Sequence, residues 1–142
     1  MREILFRGKP LGNLHGKFIY GSLGVIDTDL CAIYHCFEFE DDKMQLVDVE
    51  TVGQYTGLTD KNGEKIFEGD IVTYEDAEAD YEGYHDNVFL NCGEVVISAW
   101  TGIGFTNRQT VEMDDLYISE TKVDCEVIGN IYDNPELLEA QK

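Results

Sequence analysis

VGQYTGLTDKNGEKIFEGDIV, residues 52–72, sets a turn tetrapeptide, two short apolar runs and a second glycine turn at fixed offsets. Asp60-Lys61-Asn62-Gly63 divides two strand-like runs and predicts a β-hairpin. Two registers are open. With Asn62 and Gly63 as the central residues of a type I′ turn, Lys61 faces Glu64 and Asp60 faces Lys65, both favourable charge pairs. A type I turn that begins at Asp60 and closes on a left-handed Gly63 with a bulge sets Leu58 against Ile66 instead. A slip of one residue between them exchanges the faces of the strand. Beyond the hairpin, Ile66 to Val72 reads as a corner between strands. Gly69 supplies a positive φ or a close approach there, and the Asp70 side chain bonds nearby backbone amides as the next strand begins. Corners of this kind let a small barrel curl its sheet upon itself. Asn62, Gly63, Gly69 and Asp70 are therefore read as turn residues that serve backbone geometry.

Strand patterns continue on both sides. Residues 3–7 and 17–23 read as strands joined through a connection rich in turn residues, Pro10, Gly12, Asn13 and Gly16, and predict a hairpin. Residues 31–39 alternate, with Cys31, Ile33, His35, Phe37 and Phe39 on one face, which belongs to the core. That alternation sends His35 and Cys36, and likewise Cys31 and Cys36, to opposite faces, so Tyr34-His35-Cys36 is not a metal site within one regular strand. Residues 44–49, 93–100, 103–106 and 125–132 are further strands, with Thr101-Gly102 turning one hairpin. Trp100, the single tryptophan, is expected to anchor a core or an interface. Asn134-Pro135-Glu136 is the clearest helix start, with an asparagine cap and proline at the first helical position, and the short helix should dock through Leu137 and Leu138.

A chain of 142 residues supports one domain, or one domain with a small satellite. Fourteen glycines against two prolines fit many turns between short strands. Ten basic side chains against twenty-nine acidic ones leave a formal charge of −19, which disfavours direct binding to DNA, RNA or an anionic membrane. The N-terminal residues MREILFRGKP carry only three consecutive apolar residues, too few for a secretory signal, and no run approaches the roughly 18 apolar residues of a membrane span. A cytoplasmic protein is expected, with Cys31, Cys36, Cys92 and Cys125 as thiols and without a Cys-x-x-Cys pair.

The stretch 74–87 stands apart, because Glu75, Asp76, Glu78, Asp80, Glu82 and Asp86 crowd it with almost no basic residue. Like charges at this density predict a solvent-exposed acidic loop over residues 75–87, and those six carboxylates are the candidate partner-binding residues. An EF-hand starting at Asp76 would need glycine where Tyr81 stands and glutamate where Asn87 stands, so the calcium-loop pattern fails. No phosphate-binding glycine loop and no nucleophile elbow is present. No catalytic, cofactor-binding or metal-ligating residue is assigned.

REILFRGK at residues 2–9, the opening stretch, GEVV at 93–96 and EVIGNIYDNPELL at 126–138 occur in an order and spacing that closely resemble the YopX family of phage and prophage proteins. Residues 31–42 and the acidic stretch depart from its pattern. The resemblance implies a mainly β fold, with an N-terminal β region over about 1–50 and, over 51–142, an SH3-like, partly open barrel carrying one short C-terminal helix from about residue 135. It also implies self-association, a bacterial host cytoplasm and an unassigned molecular function, with no catalytic residues to carry over. The leading expectation is a noncatalytic accessory protein, a homo-oligomer that binds a host or phage protein with a basic surface. Two alternatives are an acidic mimic of nucleic acid that blocks a host enzyme and, last, a metal-dependent hydrolase built on an acid cluster.

Overall fold

The computed structural model describes residues 4–27, 30–35, 43–79, 85–100, 102–108 and 110–139, with the backbone alone for residues 27, 34, 35, 43, 78, 79 and 85–87. The chain forms two compact units, residues 1–55 and 56–142, and it is mainly β in both.

In the first unit, β1 (Phe6–Gly8), β2 (Ile19–Asp27), β3 (Leu30–His35), β4 (Lys43–Val47) and the start of β5 (Gly53–Thr59) form an antiparallel sheet in the order β4-β3-β2-β1-β5. β1 and β2 make the expected hairpin, with Arg7 opposite Tyr20. The turn residues between them are fixed locally, since the Asn13 N–H donates to the Pro10 carbonyl at 2.9 Å. Strand β4 ends earlier than the apolar run suggests, because the Asp48 side chain accepts the Glu50 N–H and starts a 3-10 turn, Val49–Thr51. Cys31 and Ile33 face the core with Ile19 and Val47, as their alternation requires. The His35 side chain, Phe37 and Phe39, the rest of that predicted face, lie outside the described residues, as does Cys36 of the opposite face. Arg7 and Lys9, two apart on one strand and its continuation, stack on Phe18 at 4.0 and 4.4 Å from the ring centre. Lys9 also donates from Nζ to the Gly16 carbonyl at 2.6 Å. Both cations are buried, an arrangement made tolerable by the aromatic face they share and, for Lys9, by the bond to Gly16.

In the second unit, the remainder of β5 turns into β6 (Lys65–Phe67), and a four-stranded antiparallel sheet follows in the order β10-β7-β8-β9. Its members are β7 (Asp70–Ala79), β8 (His85–Ser98), β9 (Gly102–Phe105) and β10 (Glu126–Asn130). A 3-10 turn, Met113–Leu116, and one helical turn, α1 (Glu136–Glu139), complete it. The hairpin is the type I form with a bulge: Gly63 has φ +85° while Asn62 keeps a negative φ, and the Gly63 N–H donates to the Asp60 carbonyl at 3.0 Å. The Asp60 N–H donates to the Glu64 carbonyl at 2.8 Å, so counting outward brings Leu58 opposite Ile66. Both enter one core with Val72, Tyr74, Val95, Phe105, Val123 and Cys125. Tyr74 and Phe105 stack at its centre, 4.5 Å apart.

The corner at Gly69 works as its sequence suggests. Gly69 has φ +92°, its N–H donates to the Val95 carbonyl, and the Asp70 carboxylate accepts the Phe67 N–H at 2.8 Å. The sheet curls there into a partly open barrel, closed on one side by parallel contact of Thr59 with Lys122. Gly93 meets a different demand, because a β-carbon there would collide with the Thr106 carbonyl oxygen.

Candidate functional site

The acidic stretch is not a loop along its whole length. β7 runs on to Ala79 and β8 begins at His85, with Asp76 opposite Phe89 and Glu78 opposite Asn87. The correction has a simple cause. In a strand, successive side chains point to opposite faces, so neighbouring carboxylates are separated and like-charge repulsion along the chain is relieved. Glu75 points outward and is exposed, whereas Asp76 is only 1% exposed. Asp76 is therefore not available to a partner. The Glu78 and Asp86 side chains and all of Asp80 and Glu82 lie outside the described residues.

What Asp76 does instead is hold the chain that follows β9. Its Oδ1 accepts from the Ala77 N–H at 2.8 Å, the Thr110 N–H at 3.0 Å, the Thr110 hydroxyl at 3.2 Å and the Val111 N–H at 3.2 Å. Its Oδ2 accepts from Asn91 Nδ2 at 2.9 Å. Asn91 in turn donates to the carbonyl of Asn107, the one non-glycine residue of positive φ among those described. Asp60 plays the same part for the hairpin. It accepts the Asn62 and Glu64 N–H groups on Oδ1, each at 2.9 Å, and the Val127 N–H on Oδ2 at 3.0 Å. Burial of a carboxylate is tolerable where several donors converge on it. Asp60, Asp70 and Asp76 are thus anchors of backbone. Asn62, Gly63, Gly69 and Asp70 are turn residues of the hairpin and the corner.

The Cys92 and Cys125 thiols and the Tyr74 phenol are held in their neutral forms. Burial, followed by the carboxylates of Asp60 and Asp124, pushes the Cys125 thiol up to about 12. Burial raises Cys92 as well, and its sulfur donates to the Leu137 carbonyl, which docks α1 on β8. The Tyr74 phenol lies well above its ordinary range, first from burial and then from Asp76. Among the described residues no three His, Cys, Asp or Glu side chains gather as a metal site.

Glu94 gives a pH test of the second unit. Burial, and then the nearby Glu68, raises its carboxyl above the ordinary range. The unfolded chain therefore loses this proton at lower pH than the folded chain does. Glu94 thus lowers stability as pH rises from the ordinary glutamate value through the raised one. Glu94→Gln is expected to raise the melting temperature at pH 7 by about 2 °C and to leave it unchanged at pH 3.5. Differential scanning fluorimetry at the two pH values checks this, and a variant less stable at pH 7 contradicts it.

Two features here escape a linear reading. Trp100, expected in a core or interface, is 95% exposed on the turn between β8 and β9. Beside the same hairpin, a cleft of about 120 Å³ opens between β9 and the Met113–Leu116 turn. Val96, Ile103, Phe105 and Met113 line it, though the surface it presents is mostly polar. Arg108, Glu112 and Asp114 stand at it too, with Arg108 and Glu112 in an ion pair one helical turn apart in sequence. The i,i+4 acid–base spacing of 108 and 112 is the only signal of this cleft in the sequence, since its walls come from separate segments.

The YopX protein family model matches residues 23–139. The chain belongs to the YopX family. The match takes in most of both units, the Asp60 hairpin, the Gly69 corner and the C-terminal helix. The crystal structure of protein EF1440 from Enterococcus faecalis has a similar fold, with a TM-score of 0.54, at 20% identity over 97% of this chain and 99% of that one. No curated protein matches the chain. No helix among the described residues is long and apolar enough to cross a membrane.

Proposed function

We propose that this YopX-family chain is a noncatalytic phage or prophage accessory protein that acts in the host cytoplasm through protein–protein contact, as a homo-oligomer. In this reading the second unit is an SH3-like barrel, and the first unit carries the self-association surface. One observation carries it. The outward face of the first sheet exposes Tyr20 and Met44, and the end of the β2–β3 hairpin exposes Val25 and Ile26, at 45, 52, 72 and 49%. Tyr20 and Met44 lie on the face away from the core, whereas Val25, opposite Cys31, lies on the core side at the end of the sheet, and exposed apolar groups of this kind are what an interface would cover. The formal charge of −19 opposes self-contact at long range, so burial of these groups has to outweigh it and association should tighten with salt.

The two other readings draw less support. An acidic mimic of nucleic acid loses Asp76 from its surface, because that carboxylate is buried. A metal-dependent hydrolase needs convergent acids, which the described residues do not gather.

Sedimentation velocity at 50 and 300 mM salt tests the proposal. A mass of at least twice 16.1 kDa at micromolar concentration is expected, together with dissociation about tenfold easier in the Tyr20→Ser/Met44→Ser variant. A single species at 16.1 kDa in both salts refutes self-association.

A further inference from the structure

Asn62 is the one asparagine of the chain followed by glycine, and the fold places that pair at the tip of the hairpin with both residues exposed. After every other asparagine the next residue either carries a side chain beside its own nitrogen or is Pro135, which has no amide proton. Gly63 shields nothing, and even a β-carbon there would meet no atom within 4 Å. This leaves its nitrogen open to attack the side-chain amide of Asn62.

Asp60 stands against that reaction. The Gly63 N–H donates to the Asp60 carbonyl at 3.0 Å, and Asp60 Oδ1 accepts the N–H groups of Asn62 and Glu64 at 2.9 Å each. These bonds bracket the Asn62–Gly63 peptide. Attack requires the Gly63 nitrogen to lose its proton and turn toward Asn62 Cγ, so its bond to Asp60 has to open first.

We propose that Asn62–Gly63 is a self-modification site, at which Asn62 passes through a cyclic imide to aspartate and isoaspartate, and that Asp60 is the positioning residue that sets its rate. The Gly63 nitrogen gives its proton to hydroxide and bonds to Asn62 Cγ. The Cγ–Nδ2 bond breaks, and the nitrogen leaves as ammonia with a proton taken from water. One water then opens the imide at either carbonyl, and nothing is oxidised or reduced. Each event adds a negative charge to a chain already at −19. Aspartate leaves the main chain of the turn as it was. Isoaspartate carries the main chain through Cβ and Cγ, one atom longer, so Asp60 Oδ1 cannot keep both of the amides it holds across that link. The same carboxylate holds Val127, and the change at the tip therefore reaches β10.

The full chain and a free peptide of residues 57–66, which has no fold to hold its turn, are kept at pH 8 and sampled by mass spectrometry with fragmentation that separates the two products. The mass gain of an amide-to-acid change is expected at Asn62 before any other asparagine, about tenfold slower in the chain than in the peptide, with isoaspartate among the products. Asp60→Ala should bring the chain to within about threefold of the peptide. Should that variant not fold, conversion of the unaltered chain is followed in urea below its unfolding transition, where it should rise in step with hydrogen exchange at the Gly63 amide. An unmodified Asn62 after about thirty half-lives of the peptide, conversion as fast in the chain as in the peptide, or another asparagine converting first would overturn the proposal. So would an unchanged rate in a folded Asp60→Ala variant, or conversion that does not follow Gly63 exchange.

Discussion

Asp76→Ala should lower the unfolding free energy by about 3–5 kcal/mol, because several donors around a buried carboxylate lose their acceptor together. An unsatisfied buried donor costs about 1–3 kcal/mol, and the Ala77 and Asn91 donors are the ones farthest from water. The Thr110 and Val111 amides are only partly buried, and water can take over some of their bonds, which keeps the total below a simple sum. Asp76→Asn should fall about midway, since the amide keeps one acceptor oxygen but turns an NH₂ group toward donors. Urea denaturation gives the ranking. Hydrogen exchange should show the specific signature, faster exchange at Thr110 and Val111 than at core amides of β8. A loss under about 1 kcal/mol for alanine, with unchanged exchange at those two amides, would show that Asp76 is not the anchor.

The same residue shows where a linear reading stops. The charge density of residues 75–86 is real, and it correctly marks Glu75 as exposed. It cannot reveal that Asp76 points inward, because its donors at Thr110 and Val111 come from 34 and 35 residues away. The hairpin is the opposite case. Turn chemistry is local, so Asp60 to Gly63 could be recognised from four residues, and the corner at Gly69 from another four. Only the register needed more. Both candidate registers satisfied local rules, and the one observed also places the Asp60 carboxylate within reach of Val127, 67 residues on.

The division also explains why most residues of the opening stretch carry a fold rather than a chemistry. Hydrophobic alternation located the core positions Cys31 and Ile33, since a strand period depends on neighbours alone. The cleft at β9 was invisible because Val96, Ile103 and Met113 have no sequence relation until the sheet and the 3-10 turn bring them together. Its one local signal, the Arg108–Glu112 pair, is the same as on many solvated surfaces and marks nothing by itself. Asp76 connects the two regions, for it fixes Thr110 and Val111, the residues just before Glu112. Loosening that anchor should therefore weaken the cleft without touching any residue that lines it.

Asp60→Ala is expected to have the second large effect, a loss of about 3–4 kcal/mol, for a reason that separates it from an ordinary turn substitution. A turn aspartate that only caps its own loop contributes about 1 kcal/mol, because water replaces it when it is removed. Asp60 is fully buried, and it accepts from both ends of its own turn and from Val127 in β10. The adjacent Lys61 N–H donates to the Cys125 carbonyl at 3.0 Å, so two bonds join the hairpin to β10 and to the residue just before it. Removal of the carboxylate leaves the second bond in place but strands the Val127 amide next to a bulge in β10, where no partner strand can take it up. Asp60→Asn retains the local turn through one oxygen and should lose chiefly the Val127 bond, about half the effect. Gly63→Ala alone strains the positive φ of residue 63 and should cost about 1 kcal/mol, and because residues 63 and 60 are hydrogen-bonded its combination with Asp60→Asn reports their coupling. If Asp60→Asn is as damaging as alanine, the tie to Val127 accounts for the effect; if it is nearly harmless, the local turn bonds dominate and the tie to β10 is secondary. If hydrogen exchange at Val127 rises in Asp60→Asn while Asn62 and Glu64 stay protected, the carboxylate is the link that closes the C-terminal strand onto the hairpin.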